Sequence, residues 1–400
     1  MFTGALEHRP AGFRVYLLAI ELMAMGLCAW RASPKWWVLR GLTLAVIASD
    51  MVVGTQGEIV DGVVLNGVLF ALLAGTIFQG ELVFTTWRRP RGLPAEWVKG
   101  TSYSFFVTAV VAALMLVDTP FQPRWVRGEL LLWLALAVTT TGLFIARRSV
   151  ALTLLGRGFY IQAILLLMLA VPVAMDGPER LFGWMGLAVG LAVLAWANGD
   201  DLAAGGATVV WLLAGVMTNV WGYNDASAER IWLTLFGEPV YALTVVSTAL
   251  MLTGHAVAVV LQRLFGLPAR RPGDRIETST ALLIDCLAAA TFATALVATQ
   301  SPDFATRAGL AYGALLWLAT LVPAMFHLHP VALLVLSAVA VKWAAFDVIR
   351  NRMLPTYVST DRPFLNTTAA TGAAIAAAFG VTGWVDRRRA YGISQRRCAG

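Results

Sequence analysis

Charge is what this sequence has least of. Only 13% of its 400 residues are Asp, Glu, Lys or Arg, against about 25% in soluble domains. A chain that is 58% hydrophobic could not cover a water-facing surface with so little charge, so the bilayer is its expected solvent. Cysteine is scarce as well. Cys28, Cys286 and Cys398 make no CxxC pair and no disulfide framework, and the first two sit in apolar runs where a small buried side chain belongs. Lysine appears only as Lys35, Lys99 and Lys342; arginine supplies the rest of the 30 basic residues. Long polar stretches are missing too, with no loop above roughly twenty residues, which leaves no room for a soluble catalytic domain. There is no P-loop, GxSxG, HExxH or GxGxxG in a strand–helix context. The first apolar run lacks a basic leader and a small-residue cleavage site, so it reads as a retained span.

What is present is a succession of apolar runs long enough to cross a ~30 Å hydrocarbon core. They fall at 13–30, 36–54, 63–84, 101–117, 129–146, 159–175, 181–198, 207–222, 240–261, 278–299, 306–326, 330–349 and 367–385. The expected fold is an all-α polytopic transmembrane bundle, one integral membrane domain over 1–400 with a basic cytoplasmic tail at 386–400. The span count is about thirteen, within a range of about 12 to 14, and all spans are expected to be helical because open strand edges are not tolerated in lipid. Basic residues alternate unevenly between the loops. With the C-terminus cytoplasmic, 19 lie on the inner side and 10 on the outer, which sets the N-terminus outside. The net charge of +7 sits in clusters such as "WRRPRG" and "DRRRAYGISQRR", which suit phospholipid headgroups rather than nucleic acid. The expected setting is a bacterial inner membrane, with membrane lipids and other membrane proteins as partners and no nucleic acid.

Ionisable residues inside the spans are the functional pointers, because each costs about 2.5–3.5 kcal/mol at mid-helix. They are Glu21, Asp50, Glu81, His255, Asp285, Lys342 and Asp347. Lys342 and Glu21 lie about eight residues, or roughly 12 Å, from the same end of their spans and could pair there. Asp50 is within reach of a long lysine stem. Asp347 is the poorer partner, since an i,i+5 pair diverges by about 140° on an α-helix. These residues form either a packing pair or a substrate path. His255 and Asp285 match in depth on consecutive antiparallel spans, where a hydrogen bond would fix the imidazole tautomer and could relay protons.

Other features point to less chemistry. In "HLHP" the i,i+2 spacing of His327 and His329 sets the rings on opposite sides of a helix, and no third metal ligand is near; no metal and no cofactor is expected. Asp200 and Asp201 in "NGDDLAAGG" read as a solvated turn, and Gly186-x-x-x-Gly190 as a close helix contact. Pro323 is expected to kink the eleventh span. The aromatic stretch "WGYNDASAERIWLTLFGEPVY" is expected to include a short interfacial helix. Arg350, Arg352 and Arg362 stand on the side that the charge bias disfavours, above Lys342, as an anion-binding cluster would.

The last hairpin, "LLVLSAVAVKWAAFDVIRNR" followed by "RPFLNTTAATGAAIAAAFGVTGWVDRRRA", resembles that of a large bacterial family of polytopic membrane proteins of unknown function. Lys342, Asp347, Pro363 and Asn366 are the matching positions, and that family's long, coiled-coil-bearing N-terminal region is not expected here. The resemblance implies a membrane fold and carries no chemistry. The function expected is the binding or movement of an amphiphilic or anionic envelope component, without catalysis. Two alternatives stand beside it: a membrane-embedded transferase on a lipid-phosphate donor with Asp61 or Asp225 as base, and an assembly subunit whose charges serve packing.

Overall fold

The computed structural model describes residues 11–31, 38–39, 42–43, 45–46, 64–88, 124–146, 153–235, 237–265, 280–348 and 367–398. The run at 101–117 and most of 36–54 lie outside them, as do Asp50, Asp61, Arg350, Arg352, Arg362, Pro363 and Asn366. By its internal contacts the chain divides into two compact units, Met1–Gly183 and Trp184–Gly400. Six of the described helices are long and apolar enough to cross a membrane: Gly156–Ala174, Gly177–Asn198, Asp201–Asn224, Ala242–Phe265, Thr280–Thr299 and Met325–Val348.

The first unit holds α1 (Ala11–Arg31), α2 (Val64–Arg88), α3 (Arg124–Ala146), α4 (Thr153–Ala174) and the start of α5 (Gly177–Asn198). Along α1 the buried positions are Leu17, Glu21, Ala24, Met25 and Cys28, the 3.6-residue stripe of a helix with one face inward. Its other face exposes Tyr16, Leu22, Met23 and Leu27, a surface suited to lipid rather than water. Arg14 sits 5.5 Å over the Phe70 ring near the start of both helices, and Arg88 Nη1 donates to Trp30 O (3.2 Å) near their ends, so α1 and α2 run parallel. Helices α3 and α4 interlock through Leu131, Ala135 and Val138 against Phe159, Ala163, Leu166 and Ala170. Gly142 makes that approach possible, because a Cβ there would stand 2.8 Å from Phe159 Cβ.

The second unit holds the rest of α5, then α6 (Asp201–Asn224), α7 (Ala242–Phe265), α8 (Thr280–Thr299), α9 (Pro302–Ala319), α10 (His329–Lys342) and α11 (Thr367–Cys398). The turn between α5 and α6 needs Gly199, whose φ is +67°. Asp200 caps α6 by accepting from Leu202 N at 3.0 Å, so the acidic pair is a helix start. The aromatic stretch after α6 forms one 3₁₀ turn, Ala226–Glu229, and then an antiparallel ribbon, β1 (Ile231–Leu235) with β2 (Glu238–Tyr241), instead of an interfacial helix. Strand-forming Ile, Trp, Leu and Thr, with Gly237 at φ +83° in the turn, account for the difference. The Gln300 amide ties the ribbon to α7 and α8: its nitrogen donates to Pro239 O (2.8 Å), and its oxygen accepts from Thr244 Oγ1 (2.9 Å).

Pro323 does not kink a continuing helix. Helix α9 ends at Ala319, and Pro323 opens a separate 3₁₀ segment, Pro323–Leu328, that packs against α7 and α8. Gly186 and Gly190 have open space where a Cβ would be, so the close contact expected of them is not made among the described residues. Close contacts occur elsewhere, at Gly254 against Trp211 and Ala288, Gly309 against Val339, and Gly313 against Leu336. The segment read as a basic tail continues α11 as helix to Cys398.

Candidate functional site

Four polar side chains from four elements meet inside the second unit. His255 comes from the middle of α7, Asp285 from the second turn of α8, Tyr312 from α9, and His327 from the 3₁₀ segment before α10. Gly254 allows His255 this position: a Cβ in its place would stand 2.7 Å from the Trp211 ring and 2.9 Å from Ala288 Cβ. Trp211 is itself fixed, its indole N–H donating to Leu250 O at 2.9 Å.

His255 Nδ1 is 2.7 Å from Asp285 Oδ1, and His255 Nε2 is 2.7 Å from the Tyr312 hydroxyl. The other Asp285 oxygen, Oδ2, faces His327 Nε2 at 3.4 Å. The Asp285 side chain is 0% exposed, His327 8% and His255 13%, so the carboxylate sees these groups instead of solvent. An ionised carboxylate only accepts, so it selects the imidazole with its proton on Nδ1, and the Tyr312 hydroxyl then donates to Nε2. Tyr312 is steadied by Phe292, which meets it edge-on at 5.1 Å. The result is a line of four groups that can each hold a proton, hydrogen-bonded from Tyr312 through His255 to Asp285 and in close approach from Asp285 to His327. It contains no activated nucleophile. The His255–Asp285 contact follows the depth match in the sequence; the roles of Tyr312 and His327 do not. A tyrosine in an apolar run was the available signal for the first, and Pro323, which breaks the helix ahead of "HLHP", for the second. His329 diverges from His327, stacking on Phe326 at 5.6 Å and lying 3.5 Å from Asp386.

A second polar cluster lies where α9 begins and α10 ends. Lys342 Nζ is 2.9 Å from Asp347 Oδ1, 2.6 Å from Thr306 Oγ1 and 2.8 Å from Pro302 O, which occupies all three ammonium donors. The Thr306 hydroxyl donates to Asp347 Oδ2 at 2.5 Å. Asp347 is therefore the partner of Lys342, against the expectation from α-helical spacing. The reason is that Trp343–Val348 is π-helical. Its wider turn closes i→i+5, which brings residues five apart onto one face. Glu21 is buried in the first unit, and among the described residues neither of its oxygens has a hydrogen-bond partner. Glu81, also buried, accepts from Thr85 at 2.6 Å.

Of the two acids considered as a transferase base, only Asp225 is described. It caps the 3₁₀ turn by accepting from Ser227 N at 2.8 Å, and this backbone hydrogen bond holds its carboxyl below the usual carboxylate range. A carboxylate so held is a weaker base than an ordinary one. Apolar helices of spanning length with charged groups turned inward define the class, a multi-pass helical membrane protein. No family model matches the chain, nor does any curated protein or solved structure.

Proposed function

We propose that the protein is a proton-linked carrier that binds or moves an anionic, amphiphilic component of the cell envelope. The observation that carries this reading is the line Tyr312–His255–Asp285–His327, a fully buried carboxylate between two imidazoles at membrane depth. Buried acids and histidines in spans are costly to hold and recur in proton pathways. The 3₁₀ segment adds support, because non-helical backbone at that depth is tolerated where protein buries it or where it lines a path. The wider picture that accompanies this proposal is a bacterial inner-membrane protein of about thirteen spans, N-terminus outside and C-terminus cytoplasmic.

The Lys342 cluster favours a different role for that lysine. With every donor taken inside the protein, it fastens α9 to α10 and is not free to receive an anion.

The test is transbilayer movement of fluorescent phosphatidylglycerol in proteoliposomes, read by dithionite quenching with and without an imposed pH gradient. The wild-type protein should speed movement when the gradient is present. Asp285→Asn should abolish that response while keeping its thermal midpoint and elution profile. Movement indifferent to both the gradient and the substitution would sink the proposal. A metal requirement with loss on replacing Asp61 would point to the transferase, and stable co-purifying subunits with no movement to an assembly role.

A further inference from the structure

Helices α9 and α11 both pack on α10 and run in the same direction. Lys342 meets Thr306 near the start of α9, and the Trp343 ring lies over Gly372 near the start of α11. Further along, His329 at the opposite end of α10 lies 3.5 Å from Asp386. Between α9 and α11 is a groove of about 570 Å³, lined by Arg307, Leu310, Ala311 and Ala314 from one helix and by Ala370, Thr371, Ala374 and Ala378 from the other. Small residues at four-residue spacing usually let two membrane helices close on each other. Here Ala370, Ala374 and Ala378 give α11 such a face, yet opposite Arg307, Leu310, Ala311 and Ala314 it leaves a slot of the size range of small-molecule sites.

The slot is apolar along its length and cationic at one end. Arg307 is exposed and makes no ion pair or hydrogen bond among the described residues, and Asp303, one turn nearer the helix start, does not engage it. Both helices begin at that same end, so both dipoles add positive potential where the guanidinium stands. From Ala370 to Ala378 the slot runs roughly 12 Å, close to the ~15 Å of one leaflet's hydrocarbon.

We propose that this groove binds an anionic phospholipid, with one acyl chain between α9 and α11 and the headgroup phosphate on Arg307. The guanidinium fork suits phosphate oxygens, and the alanine faces suit a single unbranched chain. Arg307 lies one residue from the threonine that holds Lys342 in its own pair. The inference rests on the proposed function only for its amphiphile class. Its readout is equilibrium occupancy, so a failed proton linkage and an empty groove are separate results.

The test uses the full-length protein in nanodiscs doped with a phosphatidylglycerol that carries a diazirine on one acyl chain, with crosslinks mapped by mass spectrometry. Saturable crosslinking is expected on 311–314 and 370–378, competed by unlabelled phosphatidylglycerol but not by phosphatidylcholine or inorganic phosphate. Arg307→Gln should weaken competition by about tenfold, the scale of one charge-assisted contact. Ala374→Trp should fill the slot and remove the crosslink, and Ala311→Leu supplies the same check if the tryptophan variant does not fold. Labelling spread evenly over lipid-facing helices, equal competition by phosphatidylcholine, or full occupancy in Arg307→Gln would each overturn the assignment.

Discussion

Lys342 shows how a charge can be kept inside an apolar helix. Its ammonium has three donors, and Pro302 O, Thr306 Oγ1 and the Asp347 carboxylate take all of them. Lys342→Met alone leaves the 5%-exposed Asp347 without a cation and should cost about 3 kcal/mol, whereas Lys342→Met with Asp347→Leu should recover most of that loss. Thermal midpoints of the two singles and the double in detergent decide it; three equal losses would show that the pair is not the coupled unit. Asp225 titrates in the opposite setting, on the surface. Its folded carboxyl is held below the unfolded value, so its capping contribution is present above the ordinary carboxylate range and lost as pH falls through the lowered value. Asp225→Ala should therefore lower the thermal midpoint at neutral pH and shrink the gap to wild type in acid. A gap that does not change with pH would assign the effect to something other than the carboxylate.

At the scale of elements, Gly254 on α7 stands close to both α6 and α8. A methyl group there would press on the Trp211 ring and on Ala288 at once. Gly254→Ala should cost about 1–3 kcal/mol as overpacking and also part His255 from Asp285, so both the unfolding midpoint and the gradient-driven movement should drop. A stable variant with normal movement would show that the helices can give way. The pairing of α7 with α8 was legible because the two apolar runs are consecutive and each carries one ionisable residue within it at matching depth. The ribbon at Ile231–Tyr241 also had a signal, β-branched and aromatic residues around a Gly237 turn. That signal was masked because tryptophan and tyrosine suit a membrane interface in any backbone form. The π turn at Trp343–Val348 had none in its own sequence. What favours it is the hydroxyl and carbonyl that α9 offers across the gap, and local spacing cannot report those.

For the whole molecule, the long-range information in the sequence is the alternation of apolar runs and the bias of arginine between loops. The first gave the helices, because length and hydropathy are properties of a segment alone. The contacts between helices, and so the two units, depend on side chains that only tertiary structure brings together. Topology offers a direct check: with an odd number of crossings, a membrane-impermeant maleimide should label Cys398 in inverted vesicles and not in intact cells, and the reverse pattern would invert the proposed orientation. The wide turn after Lys342 has a consequence of its own. It is a dislocation in the helix, one surplus residue that can glide along the axis as peptide groups exchange carbonyl partners. A glide of one residue would carry Asp347 out of phase with Lys342, so the ion pair pins the defect in place. Releasing that pin would let α10 rotate its end against α9 without moving its axis, a screw motion stored in six residues.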